Sequence, residues 1–229
     1  MTKPKQVPLQ SHILSALPKQ LLEHLFMAAT PVSLAADEVL FLTGDAGNGC
    51  YRIEQGLLKV SVLSRNGAER ILSILGAGAI VGELAIIDGL PRSASVTAIR
   101  DSELSFISKA AFEAFANKYP DIYKSLVIML ASRLRETDEV LAAASFLPLR
   151  GRLATTMLEL AGHFGQDISP GRTLIRQKIG QSDLAAMAGI ARENVSRILN
   201  DWKRRQLVSQ MSGYYCIEDK TKLGQEIDG

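Results

Sequence analysis

Residues 121–148, DIYKSLVIMLASRLRETDEVLAAASFLP, hold no glycine and carry proline only at the end. A run of that length without a breaker reads as one helix of about seven turns. The chain before it is punctuated in the opposite way. Nine of the 18 glycines fall between Gly44 and Gly89. Between them, and soon after, lie short apolar or alternating runs: LLKVSVL (57–63), RILSIL (70–75), ASVTAI (94–99) and ELSFI (103–107). Short strands separated by glycine turns point to an antiparallel sandwich or jelly roll. RNGAER (65–70) reads as a hairpin, because Asn-Gly tolerates the positive φ of a tight turn. The chain is therefore expected to be α+β. It should have a β jelly roll with flanking helices over 1–120, a long helix and hinge over 121–147, and a third, mostly helical part over 148–229.

The long helix has its own pattern. Tyr123, Leu126, Leu130, Arg133, Thr137, Val140 and Ala144 step by three and four, a heptad seam that Val127, Leu134 and Leu141 widen. Asp121 is placed to cap its start. A seam longer than a small barrel suits pairing with a second copy of the chain. The alternative is a helix packed along its own domain.

Charge divides unevenly. Residues 1–147 hold 14 basic against 15 acidic side chains, and residues 148–229 hold 12 against 9. The basic excess points the C-terminal part toward an anionic partner. Hydrophobic residues make up 47% of the chain, yet no apolar run approaches the roughly 18 residues a membrane helix needs. The first 14 residues lack the apolar stretch of a secretory leader, so a cytoplasmic protein is expected. Cys50 and Cys216 are far apart, and His12, His24 and His163 share no ligand spacing, so no metal site is expected. No Ser/His/Asp set or phosphate-binding loop of a nucleotide hydrolase occurs, and no enzyme is expected.

The basic part contains QSDLAAMAGIARENVSRILNDWKRR (181–205). It reads as two helices joined at Gly189. On the second, Val195, Ile198, Leu199 and Trp202 form one apolar face. At about 100° per residue they span roughly 240–340° from Arg192, while Arg192, Glu193, Ser196, Arg197 and Asn200 fall at roughly 0–140°. That is a helix-turn-helix with a hydrogen-bonding outer face, and VSQMSGYYCIED (208–219) after it suits a wing. Arginine can grip guanine O6 and N7, and glutamate accepts from cytosine N4, so this face can read G·C pairs in double-stranded DNA. Lys203, Arg204 and Arg205 suit phosphates or a solvated helix end. An ordinary helical hairpin facing water is the competing reading.

One stretch remains, GELAIIDGLPRSAS (82–95), with Glu83 and Arg92 set in apolar, turn-rich chain. With GEL followed by PRSA, the glycine-punctuated barrel, the long helix and IARENVSRIL (190–199), the sequence from about Leu21 to Ile217 resembles the cyclic AMP receptor protein family of bacterial regulators, the Crp/Fnr family. The resemblance implies a cyclic nucleotide, cAMP before cGMP, as allosteric effector. Arg92 would hold the phosphate with Ser93. Gly82 would allow close approach, Leu84 and Ala85 would turn backbone donors toward the anion, and Glu83 would accept from the ribose. A Glu83–Arg92 salt bridge bracing a loop is the plainer alternative. The resemblance also implies that Thr137 contacts the base. Asp138 stands where the family commonly has Ser or Thr.

It further implies a homodimeric transcription regulator that works with RNA polymerase. Arg192, Glu193, Asn194, Ser196 and Arg197 would meet DNA at half-sites related to TGTGA. Asn194 replaces the usual Thr, and Ala191 replaces a capping Ser or Thr. A family member that binds DNA without nucleotide, and a nucleotide-binding module without a DNA role, are the alternatives. Sensing through haem or an iron–sulfur cluster is disfavoured, because residues 40–110 hold no histidine and the two cysteines are isolated.

Overall fold

The structure, a computed structural model, describes residues 19–228. The expectation about the first 14 residues lies outside them. The chain forms two compact units, one built mainly on residues 19–135 and the other on 136–228. The α+β class is found, with strands predominating in the first unit and helices in the second.

The first unit starts with α1 (Lys19–Phe26). Six strands follow: β1 (Thr30–Leu34), β2 (Val39–Phe41), β3 (Gly49–Leu63), β4 (Glu69–Gly76), β5 (Ile80–Val81) and β6 (Ser95–Ser108). They join in the order β1-β6-β3-β4, with β2 also on β6 and β5 on β3. The two runs expected at 94–99 and 103–107 are one continuous strand, β6. It lies antiparallel to the whole length of β3, from Gly49 opposite Ser108 to Ser61 opposite Ser95. The register slips between Ile53 and Leu58, where β3 bulges. Leu34, Ile53, Leu58, Leu75, Val81, Val96 and Leu104 fill the interior of this domain.

α2 (Leu84–Ile87) is a single turn between β5 and β6. At the start of α3 (Lys109–Lys118) the Ser108 hydroxyl accepts from the Ala111 N–H at 3.2 Å and caps the helix. α4 (Asp121–Phe146) is the long helix, 26 residues without interruption. Asp121 is its first residue, not its cap, so its carboxylate instead complements the positive helix end.

The seam needs correction. Ile122, Leu126 and Met129 are buried in a cluster with Leu22, Leu25, Phe26, Cys50, Ile107 and Phe112. Leu126 therefore faces inward. The exposed apolar row runs instead through Tyr123, Val127, Leu134 and Leu141, the last three being 64%, 63% and 64% exposed. Thr137 lies on the same row and is exposed.

After α4 the chain breaks helix for two residues, Leu147 and Pro148. Pro148 then serves as N-cap of α5 (Leu149–Phe164). β7 (Gly165–Ser169) and β8 (Arg172–Ile175) form a hairpin. α6 (Gln181–Ala188) and α7 (Arg192–Arg204) follow. β9 (Val208–Met211), β10 (Tyr214–Ile217) and α8 (Lys220–Gln225) complete the chain. The sheet order is β7-β8-β10-β9. Leu153, Met157, Leu160, Leu184, Val195, Leu199, Trp202, Tyr215 and Leu223 form its fully or nearly fully buried core.

A polar knot fixes this unit. The Glu226 carboxylate accepts from the Trp202 indole at 2.9 Å, from Arg150 at 3.0 Å and from Arg205 at 2.6 Å. Arg150 and Arg205 also reach Asp201. Burial alone would raise the Glu226 carboxyl, but the bonds from Arg205, Trp202 and Arg150 outweigh it and hold it at about 2. The start of α5, the end of α7 and the C-terminal segment are thereby tied together.

Candidate functional site: an anion cradle and a groove-reading helix

The cradle grows from the turn after β5. Glu83 is 3% exposed and Arg92 is 5% exposed, both unusual for charged residues. Gly82 has φ +79, a conformation that side-chain-bearing residues rarely adopt. A Cβ there would lie 2.3 Å from an Arg92 guanidinium nitrogen, and one at Gly47 would lie 2.1 Å from the Ala85 Cβ. The backbone thus closes around the guanidinium from two sides. Arg92 is anchored by main chain, its N–H donating to the Asp45 carbonyl at 2.8 Å and its carbonyl accepting from Gly44 at 2.8 Å.

The guanidinium donates to the Gly82 carbonyl at 2.6 Å and stacks 4.2 Å over the Phe41 ring. Its Nε is buried, with no hydrogen-bond partner among the described residues. Burial pushes the group below its ordinary pKa, against attraction from Tyr51, Cys50, Glu83 and Asp45. A buried cation with an idle donor is costly, and an anion would relieve it. α2 begins at this point, so the Leu84 and Ala85 N–H groups belong to its first turn and have no helical acceptor. Cys50 lies nearby, and burial followed by the Glu83 charge pushes its thiol up to about 12, leaving it inert.

Gly82, Glu83, Leu84, Ala85 and Arg92 therefore come together. Ser93 is exposed. Thr137 and Asp138 are exposed on α4, in the second unit. Sequence reasoning missed Phe41 and Gly47. They lie 51 and 45 positions before Arg92, and no local spacing signals them.

The second unit presents the other surface. α6 ends at Gly189, left-handed with φ +64, whose N–H reaches the Ala185 carbonyl. The chain then turns into α7 through Ile190 and Ala191. Ala191 occupies the N-cap without a side-chain bond. Val195, Ile198, Leu199 and Trp202 are buried, while Arg192, Glu193, Arg197 and Asn200 are exposed and Asn194 and Ser196 are half-buried. The Arg197 guanidinium donates to the Asn194 Oδ1 at 2.9 Å. Lys203 bonds Gln210, and Arg204 and Arg205 pair with Asp201, so these three side chains serve internal contacts. Among the described residues, no group of three His, Cys, Asp or Glu side chains could hold a metal ion, and no helix is long and apolar enough to cross a membrane.

Comparison with known proteins gives the same two parts. A cyclic nucleotide-binding domain matches residues 31–119, and a Crp-like helix-turn-helix domain matches residues 151–226. The chain is 30% identical over 212 residues to a CRP-like cAMP-activated global transcriptional regulator of Mycobacterium tuberculosis, across 93% of this chain and 91% of that protein. It is 35% identical over 161 residues to the cyclic AMP receptor protein of Thermus thermophilus, across 70% and 71% of the two chains. The solved structure of the c-di-GMP-responsive global regulator CLP of Xanthomonas campestris shares the fold, with a TM-score of 0.78 at 20% identity over 87% of this chain and 99% of that one. The chain belongs to the Crp/Fnr family of transcription regulators, with a cyclic nucleotide-binding domain in its first part and a Crp-like helix-turn-helix, a DNA-binding domain, in its second.

Proposed function

We propose that the chain is a cAMP-responsive regulator that binds DNA as a homodimer at a near-palindromic site related to TGTGA. The observation that carries the nucleotide half is the buried Arg92 guanidinium, with its idle Nε, inside a cradle that a Cβ at Gly82 or Gly47 would fill. A cyclic phosphodiester carries one negative charge and two free oxygens, which suits a paired, charge-assisted contact to that guanidinium. Glu83 is the acceptor assigned to the ribose hydroxyl, and Ser93, Leu84 and Ala85 the further phosphate donors. Thr137 and Asp138 are assigned to the base on the family resemblance. The choice of cAMP over cGMP follows the relatives, a cAMP-activated regulator and a cyclic AMP receptor protein.

The DNA half rests on Arg192, Glu193 and Arg197 standing together on the exposed face of α7. A twofold dimer along the exposed row of α4 would present two such helices to half-sites about 34 Å apart. Nucleotide acts by binding one arrangement of the dimer better than the other and so shifting the population toward it. RNA polymerase in the cytoplasm is the further partner we assign, on the resemblance alone. The family's regulators are not enzymes, and we assign no reaction to this chain.

Titration calorimetry tests the effector. One cAMP per chain is expected, with cGMP weaker. A folded protein that gives no binding heat with either nucleotide, and no protection against thermal unfolding, would refute the nucleotide assignment.

A further inference from the structure

We propose that Asn194 does not read a base but positions the Arg197 guanidinium, and that this pair sharpens selection for one G·C position in each half-site. The inference rests on α7 being the DNA-reading helix. On the helix wheel, Asn194 falls at about 200° from Arg192, between the reading face and the apolar face, while Glu193 falls at about 100° and Arg197 at about 140°. Asn194 is half-buried accordingly, on the shoulder of the helix. From there its Oδ1 accepts from the Arg197 Nη2 at 2.9 Å.

The bond has two consequences. First, an exposed arginine has many rotamers, and freezing it against DNA costs affinity. A neutral acceptor three residues back restricts those rotamers before DNA arrives. One of five N–H donors is used, and two suffice for guanine O6 and N7, so reading capacity is kept. Second, Glu193 lies four residues before Arg197, where an ion pair between the two would draw both readers away from DNA. Asn194 holds the guanidinium from the opposite side, leaving the Glu193 carboxylate available for a cytosine amine. A carboxylate at position 194 could also hold the arginine but would repel phosphates. A threonine, the residue more usual in the family, is shorter and reaches less far. The asparagine departure thus gains a role.

The test uses a duplex selected by the wild-type dimer from a random-sequence pool with cAMP present, and a scrambled duplex of equal length. Affinities are read by fluorescence anisotropy at one salt concentration for wild type, Asn194→Ala, Arg197→Ala and the double variant. Alanine is the better helix former, so Asn194→Ala folds. Asn194→Ala should weaken binding to the selected duplex roughly three- to tenfold, the cost of one immobilised side chain, with scrambled binding unchanged. Reselection with this variant should relax preference at a single base pair per half-site. In the Arg197→Ala background the same substitution should have no further effect. Equal loss on both duplexes, or the full loss retained without Arg197, would overturn the positioning role. If Arg197→Ala itself keeps its selectivity, or if no sequence is selected, the reading of α7 falls and the proposal with it. If Arg197→Ala loses selectivity and Asn194→Ala keeps it, the proposal alone falls.

Discussion

Replacing Arg92 with alanine is expected to weaken cAMP binding at least thirtyfold while the protein stays folded. Removing one partner of a buried, hydrogen-bonded charge contact costs about 2–5 kcal/mol, which is roughly thirtyfold to several thousandfold in affinity. The protein without ligand should respond differently. Arg92 is desolvated, its Nε has no hydrogen-bond partner among the described residues, and its guanidinium donates to the uncharged Gly82 carbonyl. Deleting such a cation removes a cost as well as a contact, so the thermal midpoint without nucleotide should change little or rise. Stabilisation by added cAMP, clear for wild type, should vanish. Arg92→Gln keeps a donor for the Gly82 carbonyl and separates loss of charge from loss of shape. Calorimetric affinity equal to wild type in both variants would remove the guanidinium from the site.

The second large effect concerns the α4 row. Val127→Ser, Leu134→Ser and Leu141→Ser together should convert a dimer into monomers and lower affinity for a palindromic duplex by more than a hundredfold. Each large apolar side chain fully covered is worth about 1.5–3 kcal/mol, and a twofold axis counts each one twice. The three residues are exposed, whereas Ile122, Leu126 and Met129 hold the helix to its own unit from the other side. The substitutions should therefore spare the fold. Sedimentation equilibrium decides the matter: a mass of one chain is expected, and an unchanged dimer would exclude this row as the interface. Single-site DNA binding by the monomer would persist only weakly, since each half-site would act alone.

How much of this was legible in the sequence depends on how local each signal is. The long helix was readable because nothing in 121–147 could break it, and α7 because four apolar residues share one face. The phase of the α4 seam was less so. Residues stepping by three and four form two adjacent rows, and only packing of Leu126 into the first unit decides which row remains exposed. β3 and β6 were read as shorter pieces for a related reason. Gly56 looks like a turn, yet it has φ +112 inside a bulge, where a Cβ would lie 2.0 Å from the Ser102 hydroxyl. The polar run at Arg100–Ser102 looks like a loop, yet it continues the strand opposite that bulge. α8, with six residues, and the β7–β8 hairpin carry too few periodic positions to be seen.

The candidate site divides in the same way. Glu83 and Arg92 lie within ten residues, so their placement close together in the chain could be read from the sequence. That the loop closes on Arg92 through Phe41 and Gly47 could not, because β2 and the β2–β3 connection meet it only after folding. On α7 the wheel gave the exposed polar face, but the bond from Arg197 to Asn194 depends on which of two neighbouring acceptors the guanidinium takes. The lysine and arginines at the helix end were read as suiting phosphates or a solvated helix end. They are engaged with Gln210, Asp201 and Glu226, because the C-terminal segment folds back beneath them.

Coupling between the two surfaces is the central claim, and one titration reaches it directly. A labelled palindromic duplex with two TGTGA half-sites is titrated with the protein at one salt concentration, with and without saturating cAMP, and anisotropy is followed. The nucleotide should tighten binding at least tenfold, with no such gain on a scrambled duplex. Superimposed curves with and without cAMP would contradict it.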